Sequence, residues 1–162
     1  TPGHTRGHSV FHELTDNLLF TGDHVLPRIT PSVSFEREPE RLPLASYLTS
    51  LRTLLARPDA RMLPAHGPVT DSVHERVQAL LEHHRERLDV IADRVARGAS
   101  TAADVARTMT WTRHARSVDD LGLVHGMTAI LETNVHLELL TYQGVLVRTV
   151  ADDGVEHFAV AA

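Results

Sequence analysis

A chain of 162 residues is long enough for one ordinary domain or two small ones. Its 42% apolar content suits a globular protein, and its formal net charge of -5 argues against a nucleic-acid surface, which needs clustered positive charge. Cysteine is absent, which excludes disulfides and thiolate metal sites, so any zinc must be held by His, Asp or Glu.

The charge is uneven. Every one of the 16 basic residues is arginine. Seven arginines and seven acids fall in residues 1–69, nine and fourteen in residues 70–162. No apolar run approaches the roughly 18–20 residues of a membrane span, and no signal peptide is evident. These features predict a cytoplasmic chain with no membrane partner.

The first third alternates apolar runs with loops. HSVFHEL and LLFTGD read as two strands of a hairpin around Thr15, Asp16 and Asn17. Residues 26–43 hold Pro27, Pro31, Pro39 and Pro43 and predict a long irregular loop. From Leu44 to Ala56 the apolar spacing is helical, and Pro58 and Asp59 stop it. ARMLPAHGP reads as a short strand running into a loop that carries His66.

The remainder is helical and then β. A long helix runs from about Ser72 to Gly98, and Thr101 with Asp104 marks the start of a short one. A third is expected over about Leu121 to Leu140. VLVRTV and VEHFAV then form a hairpin across Asp152, Asp153 and Gly154. Three helices and a hairpin are the order of a winged-helix domain. Trp111 is expected to be buried for packing, at least one of His83 and His84 to be solvated, and His12 to face outward from its strand. Arg28 is expected at the surface.

Three short stretches carry metal-capable side chains at strand-to-loop junctions, where such ligands usually sit. They are PGHT with His4, TGD with Asp23 and PAHG with His66. Two imidazoles and a carboxylate are acceptable zinc donors, and a carboxylate can bridge two ions. His4, His8 and His12 recur every four residues, as on one face of a helix. Pro2 and Gly3 beside His4 point to a loop instead.

In order and wording, TPGHTRGH, LLFTGD and LPAHGP resemble the third, fourth and fifth motifs of the metallo-β-lactamase superfamily, most closely its glyoxalase II-like hydrolases. The resemblance covers residues 1 to about 69. It implies an α+β chain: part of an αβ/βα catalytic domain over residues 1–70, then a connecting helix and winged-helix domain over 71–162. It implies His4 as a ligand of one metal, Asp23 as the bridging and catalytic carboxylate, and His66 as a ligand of the second. His8 is then a supporting group rather than a ligand, and His24 a supporting or pocket residue.

The cofactor implied is zinc, one or two ions in the parent enzyme and partial or absent in this chain. The superfamily's HxHxDH motif does not occur here. The resemblance therefore implies the C-terminal part of a longer hydrolase, inactive by itself, acting on an ester-like bond of a small-molecule substrate. A thioester such as acyl-glutathione or acyl-CoA is favoured. A phosphodiester or RNA is the alternative within the fold, and a non-catalytic interaction module the alternative outside it. Arg107, Arg113, Arg116 and Arg148 are the only cations after Arg97, facing Asp119, Asp120, Asp152, Asp153 and Glu156. That balance weighs against nucleic acid. Uncovered apolar strand surface in such a part-domain predicts a homo-oligomer.

Overall fold

The computed structural model describes residues 1–33, 35–112 and 114–162. Ser34 and Arg113, one of the late cations, lie outside the described residues. The chain divides into two compact units, Thr1–Arg85 and Glu86–Ala162. The division falls within a long helix, further along than the change of character near residue 70.

In the first unit, strand β1 (Phe11–Glu13) turns into β2 (Leu18–Gly22), helix α1 (Pro43–Leu55) follows, and β3 (Arg61–Pro64) precedes α2 (Val73–Ala96). The sheet order is β1-β2-β3. β1 pairs antiparallel to β2, with Phe11 opposite Phe20 and His12 opposite Leu19. The β2–β3 pair is parallel, as a helix crossover between the two strands allows, with Leu19 opposite Met62. Asn17 takes a positive φ of 54° at the hairpin turn, a conformation Asn tolerates better than most residues.

Residues directly opposite one another share a face of the sheet. Leu19 and Met62 are buried, together with Tyr47, Leu51 and Leu54 of α1 and Val77 and Leu80 of α2. His12 lies on this covered face, where Nε2 bonds Asn17 Oδ1 at 2.9 Å. This corrects the outward placement expected from strand alternation. Phe11 and Phe20 occupy the opposite face and are exposed. Residues 26–42 form neither helix nor strand where described. Arg76 of α2 ties this loop down, donating from Nε to the Leu26 carbonyl at 2.6 Å and from Nη2 to that of Ile29 at 2.9 Å.

The second unit holds the end of α2, α3 (Ala102–Arg107), a 3-10 turn (Val118–Asp120), α4 (Leu123–Tyr142) and the antiparallel pair β4 (Leu146–Val150) and β5 (Glu156–Val160). Thr101 and Asp104 close a reciprocal capping box at the start of α3. The core joins Ile91, Val105, Trp111, Leu137, Leu146 and Phe158. Trp111 is buried as expected, its indole donating to the Ala106 carbonyl at 2.9 Å. The Arg87 guanidinium lies 4.1 Å from the Trp111 ring centroid and 3.2 Å from Glu132. Such a half-buried cation is held by π-face and carboxylate together. Among the described residues no helix is long and apolar enough to cross a membrane.

Candidate metal centre

Because β2 and β3 run parallel, both end at the same edge of the sheet. Gly22 stands opposite Pro64, and the Ala65 amide donates to the Gly22 carbonyl at 2.9 Å. Asp23 leaves the end of β2 and His66 the end of β3, so their side chains converge. His66 Nε2 lies 3.3 Å from Asp23 Oδ1, with the side chains 73% and 37% exposed respectively. This is an open, solvent-facing pair of donors.

His4 lies in the N-terminal loop, not in a helix, and its ring sits edge-on to that of His8 with centroids 5.9 Å apart. Its Nδ1 faces the Ser32 carbonyl at 2.7 Å. A carbonyl can only accept, so Nδ1 carries the proton and the lone pair is on Nε2. A backbone carbonyl that orients an imidazole in this way is the usual support for a metal-binding histidine. Gly3 lets the loop approach α1, where a Cβ would come 2.4 Å from Tyr47 Cα.

His8 turns inward. Its Nε2 accepts from the Asp23 amide at 3.2 Å. Burial, then the proximity of His4, holds its pKa below the ordinary imidazole range. His24 is fully buried, its ring tilted by 31° against that of His8 (centroids 5.5 Å apart) and edge-on to that of Tyr47 (4.9 Å). Burial first, and His8 second, pushes its pKa down to about 3, so the ring is neutral at ordinary pH. The Tyr47 hydroxyl donates to the His24 carbonyl at 3.0 Å, fixing the backbone just after Asp23.

A catalytic zinc takes three protein donors and a structural one four. Among the described residues no group of three or more His, Asp or Glu side chains is placed to hold an ion. Asp23 and His66 converge, but His4 is not drawn into their pair. The donor set among the described residues therefore does not make a complete zinc site. Spacing in sequence gave no sign of the Ser32 contact or of Tyr47 as the support beneath two of the motifs. Both depend on elements that meet only in the fold.

The sequence pattern of the Metallo-beta-lactamase superfamily matches residues 1–66. A beta-lactamase-like protein 2 homolog from Caenorhabditis elegans is 37% identical over 87 residues, which is 54% of this chain and 27% of that protein. An atrochrysone carboxyl ACP thioesterase from Paecilomyces divaricatus is 30% identical over 98% of this chain and 46% of its own length. Among solved structures, a beta-lactamase domain protein from Burkholderia ambifaria superposes with a TM-score of 0.80 at 36% identity, over 99% of this chain and 46% of that one. A metallo-beta-lactamase family protein from Thermus thermophilus gives 0.77 at 26% identity, over 99% and 47%. The chain thus spans less than half the length of each of these proteins. Sequence pattern, relatives and solved structures all support placing this chain in the metallo-β-lactamase superfamily.

Proposed function

We propose that the chain contributes part of the active site of a metal-dependent hydrolase that cleaves a thioester. The observation that carries this reading is the convergence of Asp23 and His66, 3.3 Å apart, at the shared edge of two parallel strands. His4, with Nε2 as its ligating atom, is read as a third donor that stands apart from the converging pair. Two converging donors fall short of a catalytic zinc. In this reading the others come from polypeptide beyond these residues, in keeping with relatives more than twice as long. The thioester is favoured by the thioesterase relative, which aligns over 98% of this chain, and the glyoxalase II-like wording of the motifs agrees with it.

Residues 86–162 are read as a winged-helix unit, on the order of α3, α4 and the β4–β5 hairpin. Asp152 and Asp153 stand exposed at the hairpin tip, where they would repel phosphate. The unit therefore packs against protein rather than reading nucleic acid.

Zinc titration of the full chain by calorimetry tests the reading. Weak, partial uptake at most, lost in an Asp23→Ala/His66→Ala double variant, is the result expected of an incomplete donor set. Tight stoichiometric uptake would contradict the incomplete donor set, and uptake unchanged in the double variant would remove the metal assignment. The chain alone is expected to leave acyl-CoA and acyl-glutathione intact. Turnover abolished in the double variant would show instead that its own donors suffice.

A further inference from the structure

The resemblance gives His8 only as a supporting group, without saying what it supports. His8 lies four residues after His4 in a histidine-rich loop and touches the backbone of Asp23, yet its hydrogen bonds bar it from acting as a ligand. The Thr1 hydroxyl donates to the His8 carbonyl at 3.3 Å. Having spent its single hydrogen there, Thr1 Oγ1 can only accept from His8 Nδ1, 3.1 Å away. Nδ1 therefore bears the proton. Nε2 is left with a lone pair, and that lone pair receives the Asp23 amide at 3.2 Å.

Neighbouring residues hold the ring there. Behind it, the His24 ring lies 5.5 Å away with its plane tilted by 31°. In front, Gly22 has a positive φ of 54°, and a Cβ there would come 2.7 Å from His8 Nε2. The missing side chain at Gly22 is what admits the imidazole to the Asp23 amide.

We propose that His8, with its proton on Nδ1, is a positioning residue that clamps the backbone of Asp23 and so sets where its carboxylate points. The proposal rests on the reading of Asp23 as a metal donor for its purpose, but the clamp itself needs neither metal nor substrate. It joins the loop carrying His4 to the strand end carrying Asp23 through one side chain. His8 acts through Asp23 and binds no metal.

The test uses the full chain labelled with nitrogen-15 in metal-free buffer. Two-bond proton–nitrogen correlation reads which ring nitrogen of His8 carries hydrogen. Protonation on Nδ1, with Nε2 unprotonated, is expected; the opposite tautomer would overturn the proposal. Hydrogen exchange at the Asp23 amide gives a second readout. His8→Ala should speed it by about tenfold, the loss of one ordinary hydrogen bond. His8→Gln, whose side-chain oxygen reaches the position of Nε2, should restore most of the protection, and the Leu19 and Phe20 amides should change in neither variant. Equal Asp23 protection in wild type and His8→Ala would overturn the clamp. Should His8→Ala fail to fold, the wild-type tautomer still decides. Zinc uptake unchanged by Asp23→Ala/His66→Ala, with the Nδ1 tautomer intact, would refute the metal reading and leave the clamp standing.

Discussion

Gly3 and Tyr47 show how closely the N-terminal loop is fitted to the helix beneath it. Gly3 has a φ of +131°, and a Cβ there would lie 2.4 Å from Tyr47 Cα and 2.6 Å from Tyr47 N. Those are backbone atoms, so no rotamer change can relieve the clash. Gly3→Ala combines overpacking with a strained backbone and should destabilise the first unit by about 2 kcal/mol or more. Gly7, four residues on, has nothing within 4 Å of its virtual Cβ, and Gly7→Ala should stay within about 0.5 kcal/mol of wild type. Urea unfolding of the two variants checks the contrast; equal midpoints would contradict it. The glycine of PGHT is thus needed for packing on α1, besides placing His4.

The start of α2 depends on a residue that sequence reading treated only as the end of α1. One Asp59 oxygen accepts from the Val73 and His74 amides at 3.1 and 3.0 Å. The other accepts from the Ser72 hydroxyl at 2.7 Å. Ser72 in turn accepts from the Glu75 amide, as an N-cap does. Burial works to raise the Asp59 pKa, but the bonds from Ser72, His74 and Ala60 outweigh it and hold the carboxyl below its usual range. A depressed folded-state pKa adds stability above the unfolded value, and that stability is lost as pH falls through the folded one. Asp59→Ala should therefore cost about 1–2 kcal/mol near neutrality. The gap from wild type should narrow toward about pH 3, below the ordinary carboxyl value. Unfolding curves at both pH values measure it, and a gap independent of pH would exclude the charged cap.

Local signals explain why most of these elements could be foreseen. The spacing from Leu44, the Thr101–Asp104 box and the Asp-Gly turn near residue 153 each act within a few residues of chain. The Asp59 cap joins residues fourteen apart, and β1 is Phe11–Glu13 rather than the expected HSVFHEL, with the His8 side chain on the Asp23 amide ahead of it. The 3-10 turn at Val118–Asp120 is too short to show a period. For the site, wording and junctions located His4, Asp23 and His66. Whether those side chains converge depends on the parallel register of β2 and β3, which no motif encodes.

That register also governs how the molecule meets its surroundings. One face of the three-stranded sheet carries the buried Leu19 and Met62, while Phe11 and Phe20, paired across β1 and β2, remain 70% and 45% exposed on the other. Leu63, opposite Phe20 on β3, extends the same face. Covering a phenylalanine is worth about 1.5–3 kcal/mol, enough in a cross-strand cluster to favour a protein neighbour over water. With no other polypeptide in solution, a second copy is the neighbour at hand, and the chain should self-associate through this face. The Phe11→Ser/Phe20→Ser double variant should shift the mass measured by light scattering toward the monomer without moving the α-helical circular dichroism, because neither side chain lies in the core. A wild-type chain that stays monomeric at high concentration would refute the expectation. A double variant that still associates would move the contact to another surface, such as the exposed Leu123, Val124 and Met127 on α4.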